Sequence, residues 1–245
     1  ARELQLFPDW YVARELRAEF SAAQQQAWAR ICDLLIDSAL AQPQVLVHRD
    51  YMPRNLMTNP DGVPGVLDFQ DAVFGPVTYD IASLLRDAYI QWDEELVLDW
   101  VIRYWQRAKQ LGLPVNPDID AFYRDFEFTA LQRHLKILGL FARLNYRDGK
   151  DLYMGDLPTV LDYVRKTANR YTELKPLVRL LDALENKTPP SRLYLLRTPA
   201  KTYCASRFAA GDAHRTRVRL RFSATNHCRS LRFCQALQQP SQNTC

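Results

Sequence analysis

Apolar side chains recur every three or four residues over most of the chain, which is the spacing of helices that bury one face. The first such segment runs from Ser21 to Leu40, and Ser21 with Gln24 has the spacing of a capping box. The same pattern predicts five further helices, over residues 78–91, 93–111, 118–145, 156–171 and 173–185. The chain is therefore predicted to be mainly helical.

The apolar period changes once within the first hundred residues. Val45–Val47 is a short apolar run, which is typical of a strand. Residues 56–57 and 65–69 then flank a turn in which Pro60 and Gly62 suit the second and fourth positions of type I. We predict one small β hairpin inserted into the helical domain.

Composition changes near residue 187. Residues 191–245 contain ten Lys or Arg but a single acid, Asp212, and they show no sustained apolar period. We expect 1–186 to form one domain and 187–245 to be a basic, cysteine-containing tail that is disordered or non-native, for example a translation in a shifted reading frame. The net charge of +4 comes from this tail, so it does not predict a specific nucleic-acid partner for the domain.

Other bulk features bear on the compartment and the partners. No apolar run of about 18 residues is present, so we expect no membrane partner. The opening residues lack a signal-peptide pattern, and Cys32 is the one cysteine before residue 187, as expected in a reducing compartment. We expect a cytoplasmic protein, and the sequence leaves its oligomeric state open.

The candidate chemistry lies around the predicted hairpin. Residues 48–55 read HRDYMPRN and directly follow the first predicted strand, and Asp68 comes thirteen residues after Asn55. Phosphoryl transfer from ATP needs a carboxylate beside the acceptor hydroxyl and oxygen ligands for Mg²⁺. Asp50, Asn55 and Asp68 supply this set at the spacing of a kinase catalytic loop and its following metal-binding aspartate.

The second motif departs from the protein-kinase form, because Gln70 stands where glycine is expected. The string Asp68-Phe-Gln-Asp71, with GPVTYDIA at 75–82, resembles the aminoglycoside phosphotransferase family, which is kinase-like. The longer strings HRDYMPRNLM and GVLDFQDAVFGPVTYDIASLLRDAY are most similar to its branch of anomeric kinases, which act on N-acetylmuramate and N-acetylglucosamine in cell-wall recycling. The resemblance covers about residues 1–185.

The resemblance implies the carboxy-terminal lobe of a protein-kinase-like fold, with ATP as donor and a small-molecule sugar as acceptor. It implies Asp50 as the catalytic base and Asn55 and Asp68 as ligands of Mg²⁺. Other candidates are Leu56 and Met57 on the floor of the adenine site, Arg54 near phosphate or substrate, and Asp71, Arg86, Arg133 and His134 in the acceptor pocket.

Several of these candidates keep a plainer alternative. Arg54 could equally form a surface salt bridge, and Asp71 could lie on a solvated surface. His134 could have a structural role on a core helix. We expect His48 to shape the catalytic loop through hydrogen bonds, and Asp80 to cap its helix or brace the same loop.

A complete kinase of this type also has a lobe with a glycine-rich loop and a phosphate-binding lysine. Here the first glycine is Gly62 and the first lysine is Lys109, both beyond the catalytic motif. We therefore expect that lobe to be missing and the chain to be a weakly active or inactive fragment. An aminoglycoside, choline or other small-molecule kinase and a non-catalytic, pseudokinase-like binding fragment remain the alternative interpretations.

Overall fold

A computed structural model of the protein describes residues 1–60 and 62–185. This part is mostly helical and contains two small antiparallel sheets. None of its helices is both long enough and apolar enough to cross a membrane. The predicted tail, 187–245, lies outside the described residues.

The elements follow one another along the chain with short connections. The helices are a π-helix at Phe7–Glu15, α1 at Ala22–Ala41, α2 at Tyr79–Leu85, α3 at Glu94–Gln110, α4 at Ile119–Asp148, α5 at Leu157–Arg170 and α6 at Lys175–Glu185. The strands are β1 at Gln44–Val47, β2 at Leu56–Met57, β3 at Gly65–Val66 and β4 at Val73–Pro76. Short 3₁₀ helices cover Pro53–Asn55, Asp151–Asp156 and Thr172–Leu174.

Local capping signals explain where the long helices begin and end. The Ser21 hydroxyl accepts the Gln24 N–H at 3.4 Å, and the Gln24 side chain accepts the Ser21 N–H at 2.8 Å, so the predicted capping box is confirmed. Helix α4 begins after Asp118, whose carboxylate accepts the N–H of Asp120. It ends at Gly149, whose left-handed φ of 66° is typical of a glycine C-cap.

The two sheets differ in how far the sequence predicted them. The predicted hairpin is confirmed, because β2 pairs antiparallel with β3 in the register Leu56↔Val66, although β3 already ends at Val66. The prediction of a single hairpin was nevertheless wrong, since β1 also pairs with β4, with Val47 opposite Val73. The whole hairpin separates these two strands in sequence, so no local turn signal marks their pairing.

Helix α2 is shorter than predicted, because it ends at Leu85 rather than near residue 91. Arg86 leaves helical geometry, with φ −121° and ψ 44°, yet the chain stays buried through Ala88. The Arg86 carbonyl is hydrogen-bonded to the His134 ring, and its guanidinium bonds both carboxylate oxygens of Glu94. These tertiary contacts outweigh the helical pattern of the segment.

Helix α4 connects two apolar clusters. The first packs the π-helix, α1, α5 and α6 around α4, with Phe7, Phe128 and Leu135 fully buried. The second packs α2 and α3 against the first half of α4, and Leu56 of β2 is part of it. The strands that flank the HRDYMPRN loop therefore rest on a helical core.

Helix α4 also touches the amino-terminal segment with no space to spare. A Cβ at Gly139 would lie 2.2 Å from the carbonyl carbon and oxygen of Leu6. We predict that Gly139→Ala lowers the free energy of unfolding by about 1–3 kcal/mol, because the backbone of Leu6 must move. Gly155→Ala is the matched control, since a Cβ there meets nothing within 4 Å. Urea unfolding that gives both variants the same midpoint would contradict this contact.

Candidate active site

The structure places the two sequence motifs side by side. Residues 48–55 connect β1 to β2, and the hairpin returns the chain so that the Leu67 N–H donates to the Asn55 carbonyl at 2.9 Å. The His48 Nε2 lies 2.9 Å from the Leu67 carbonyl oxygen. Contacts from both ends of the loop, one from the His48 ring and one from the Asn55 carbonyl, therefore fix the main chain of Leu67, next to Asp68.

Asn55 joins the three residues that were predicted to carry the chemistry. Its Nδ2 donates to the main-chain carbonyl of Asp50 at 2.9 Å, and the same atom is 3.5 Å from Oδ2 of Asp68. Gln70 donates from Nε2 to Oδ1 of Asp68 at 2.6 Å. Asp50, Asn55 and Asp68 thus occupy one small region, and the carboxylate of Asp68 is exposed.

Asn55 and Asp68 supply too few oxygen ligands to hold a metal ion by themselves, but they suit Mg²⁺. Within residues 1–60 and 62–185, no group of three or more His, Cys, Asp or Glu side chains could hold a metal ion. Mg²⁺ commonly takes one or two carboxylates and completes its shell with water and substrate phosphates. One amide and one exposed carboxylate suit that mode of binding.

The backbone beside Asp50 is held in a left-handed conformation. Arg49 has a φ of 73°, which costs a residue other than glycine about 1–3 kcal/mol. The Asp80 carboxylate accepts the N–H of His48 at 2.7 Å and that of Arg49 at 3.0 Å. The Ser83 hydroxyl and the Arg133 guanidinium donate to the Arg49 carbonyl at 3.3 and 2.9 Å.

These contacts confirm the expectation that His48 and Asp80 shape the loop. They also add Ser83 to the site, which the sequence did not indicate. Arg133, a candidate for the acceptor pocket, is buried, and its guanidinium lies 4.9 Å above the ring of Tyr79. The structure therefore places Arg133 beneath the catalytic loop.

Arg86 and His134, also candidates for the acceptor pocket, lie in the core. Arg86 is paired with Glu94, and His134 stacks on Tyr163 with 4.8 Å between the ring centroids. Complete burial lowers the pKa of His134 to about 3, so the ring is neutral. The structure does not bring these two side chains to the surface near Asp50.

Of the remaining candidates, all but Leu56 are exposed. Leu56 is buried whereas Met57 is exposed, and Asp71 is exposed beyond the hairpin. The Arg54 guanidinium lies 3.5 Å from the ring centroid of Tyr89, which is a cation–π contact. No local sequence signal indicates this partner, because the apolar pattern predicts a helix that continues through Tyr89.

Asp87 is a buried carboxylate close to this cation–π pair. Burial raises its pKa to about 6, although the N–H groups of Tyr89 and Ala88 and the charges of Arg133 and Arg54 act in the opposite direction. Its Oδ2 has no hydrogen-bond partner among the described residues. Asp87 therefore prefers its protonated form in the folded protein more than in the unfolded chain.

The helical domain, the paired hairpin and the Asp50–Asn55–Asp68 arrangement agree with the kinase-like class of phosphotransferases. A sequence model of the family described as "Phosphotransferase enzyme family" (APH) matches residues 1–111, so this part of the chain is similar to that family. Its lineage is that of small-molecule kinases.

Curated relatives carry a more specific name. Proteins from Neisseria meningitidis and Pseudomonas putida, each named N-acetylmuramate/N-acetylglucosamine kinase, are 56% identical over 180 residues and 52% identical over 184 residues. A protein of the same name from Caulobacter vibrioides is 33% identical over 165 residues, which is 65% of this chain and 43% of that protein. The first two matches cover 74% and 75% of this chain and 54% of each relative, so the chain spans about half their length.

Asp80 provides a direct test of how the loop is held. We predict that Asp80→Asn speeds amide hydrogen exchange at His48 and Arg49 by about tenfold or more, because an amide cannot accept both N–H groups as the carboxylate does. Asp120→Asn is the matched control, since Asp120 also lies in the first turn of a helix, α4, and is exposed. Equal exchange in the two variants would show that Asp80 does not hold the loop.

Asp87 predicts a pH dependence of stability. Because its pKa rises from the ordinary 3.8 to about 6, the folded state binds more protons between these values, and stability from this group is lost as pH rises through that window. We predict that Asp87→Asn gains up to about 3 kcal/mol relative to the wild type between pH 4 and pH 7.

The measurement is the difference between the two unfolding curves, because His134 has the opposite pH dependence, with stability lost as pH falls below its ordinary pKa of 6.5. Asp37→Asn, at an exposed position of α1, should show no such gain. A wild-type-minus-variant difference that stays flat with pH would contradict the buried, proton-binding state of Asp87.

Proposed function

We propose that this protein takes part in Mg²⁺-dependent transfer of the ATP γ-phosphate to a hydroxyl of an amino sugar, of the N-acetylmuramate or N-acetylglucosamine type. One observation carries the proposal. The Asn55 side chain donates to the Asp50 carbonyl at 2.9 Å and lies 3.5 Å from the Asp68 carboxylate. One side chain therefore holds the proposed base and the proposed metal ligands close together.

Asp50 is the proposed base. Asp50 is partly exposed, so an acceptor hydroxyl can approach it. The carboxylate accepts the hydroxyl proton as the acceptor oxygen bonds to the γ-phosphorus, and the electron pair of the breaking β–γ bond leaves with ADP. The clamp on Arg49 keeps Asp50 in place for this step.

Asn55 and Asp68 are the residues proposed to hold Mg²⁺, through the amide oxygen and the carboxylate. When bound, the ion neutralises charge on the phosphate oxygens. The bond from the Asn55 side chain to the Asp50 carbonyl and the Gln70 bond to Asp68 orient these two side chains before any ligand arrives. This preorganisation is what charge stabilisation during transfer requires.

Residues 1–186 are proposed to be the carboxy-terminal lobe of a kinase-like fold. Met57 beside Leu56 would form the floor of the adenine site, and Arg54 would face phosphate or acceptor. No glycine or lysine precedes His48 in the sequence. We therefore place the phosphate-covering loop in the portion of the relatives that this chain does not match, and expect the chain alone to turn over slowly.

The identity of the acceptor is proposed from the names of the relatives. Its binding site is proposed from which candidate residues are exposed. Asp71 and Arg54 are accessible, whereas Arg86, Arg133 and His134 are buried and engaged with protein groups. The acceptor is then bound mainly by the exposed side of the loop. Because ATP is the donor, we propose a cytoplasmic site of action.

The test uses a chimera in which this chain replaces the matching portion of the Neisseria meningitidis relative. ATP consumption is measured with N-acetylmuramate, N-acetylglucosamine, choline and an aminoglycoside. We predict turnover on an amino sugar and a fall in kcat of about 10²–10⁴-fold in Asp50→Asn, because the base is lost. Asp37→Asn, on the exposed side of α1, should keep full activity.

Each other result has a defined meaning. Turnover on choline or an aminoglycoside alone would keep the phosphotransfer site and replace the acceptor. Turnover on an amino sugar that persists in Asp50→Asn would remove Asp50 from the base role. A folded chimera that fails to bind Mg-ATP, with or without an acceptor present, and phosphorylates none of the acceptors would favour a non-catalytic binding protein.

A further inference from the structure

Glu3, far from the catalytic motif in sequence, is bonded to the residue next to Asp50. Its carboxylate accepts from the Arg49 guanidinium at 3.2 Å, from the Lys136 ammonium at 2.8 Å and from the Gln132 amide at 3.1 Å. No sequence motif includes Glu3, and the proposed phosphotransfer chemistry does not use it. It is nevertheless a link between the amino-terminal segment, α4 and the catalytic loop.

Helix α4 reaches Arg49 by two routes from a single turn. Lys136 is a neighbour of both Gln132 and Arg133 on the helix surface, because positions four and three apart lie on the same side. Arg133 donates directly to the Arg49 carbonyl, whereas Gln132 and Lys136 hold Glu3, which in turn holds the Arg49 guanidinium. One helical turn therefore fixes both the backbone and the side chain of Arg49.

Packing keeps Glu3 at this place. The neighbouring side chains Leu4 and Phe7 are 1% and 0% exposed, and Gly139 of α4 allows the Leu6 backbone to approach closely. The amino-terminal segment cannot shift along α4 without opening this contact. The Glu3 carboxylate is thus presented to Arg49 by a rigid support.

The charges around Glu3 are unbalanced without it. Burial raises the pKa of Glu3. The hydrogen bonds and charges of Lys136, Gln132 and Arg49 have the larger, opposite effect, so the pKa lies below its ordinary value. The carboxylate lies between the cations of Arg49 and Lys136. Removing its charge leaves these two cations facing each other, and Arg49 is the one attached to a strained loop.

We propose that Glu3 is a positioning residue for Asp50. By tying the Arg49 guanidinium to α4, it holds Arg49 in its left-handed conformation and so sets the direction in which the next residue, Asp50, projects. The consequence for catalysis rests on the proposed phosphotransfer function, whereas the consequence for loop structure does not. Glu3 acts on the reaction only through Arg49.

The structural part is tested on the 245-residue chain by amide hydrogen exchange in the loop. The informative amides are those of Arg49, which donates to Asp80, and Met52, which donates to the Asp50 carbonyl. Glu3→Gln should speed their exchange by about tenfold. Glu95→Gln, at an exposed position of α3, is the matched control and should leave them unchanged.

A double mutant separates positioning through Arg49 from a general effect on the fold. Arg49→Met keeps an apolar stem but removes the guanidinium. If Glu3 acts through Arg49, adding Glu3→Gln to Arg49→Met should produce no further increase in loop exchange. Additive effects of the two substitutions would overturn the proposal, as would wild-type exchange in Glu3→Gln alone.

The catalytic part is tested in the chimera described above. Glu3→Gln should lower kcat by about tenfold to a hundredfold while KM for ATP and for the sugar stays the same, because a misplaced base affects the transition state alone. Faster loop exchange with an unchanged kcat would overturn the link to Asp50. A wild-type chimera inactive on every acceptor would defeat the proposed function, and the exchange results would still decide the role of Glu3.

Discussion

The Asp80 carboxylate, which accepts two consecutive main-chain N–H groups, is the interaction on which the rest of the site depends. His48 and Arg49 can both donate to one carboxylate only if the backbone turns sharply, and Arg49 takes a left-handed φ as a result. Asp80 lies in the first turn of α2, whose other residues are buried in the helical core. Asp80 thus ties the packed helix α2 to the loop, and Ser83 and Arg133 add bonds to the Arg49 carbonyl.

From this fixed turn, two hydrogen bonds to main-chain carbonyls connect the loop to the predicted metal ligands. Asn55 returns to the Asp50 carbonyl, and Leu67 returns to Asn55. Asp68 therefore sits beside Asn55 although it is exposed and makes little use of apolar packing. A site built in this way can present open oxygen donors to ligands while its backbone stays fixed by the core beneath.

The features that were predicted correctly are those with local signals. The capping box at Ser21 and the turn around Gly62 each act within four residues. Asp50, Asn55 and Asp68 also lie close together, as their motif spacing predicts, and their chemical roles stay a prediction. The pairing of β1 with β4 and the early end of α2 depend on contacts far along the chain. Glu3 and Arg133, which are 46 and 84 residues from Arg49, left no local trace for the same reason.

The polar residues of α2 and α4 show why the acceptor pocket resists sequence analysis. Helix α4 is buried on most of its sides, so its apolar pattern does not reveal which polar side chains reach solvent. Arg133 and His134 each satisfy a main-chain carbonyl, at Arg49 and Arg86, and such bonds are what a buried polar group requires. Arginine and histidine suit both a sugar-binding pocket and a hydrogen-bonded polar core. Here both side chains are part of the core, so residue type alone could not assign them to a pocket.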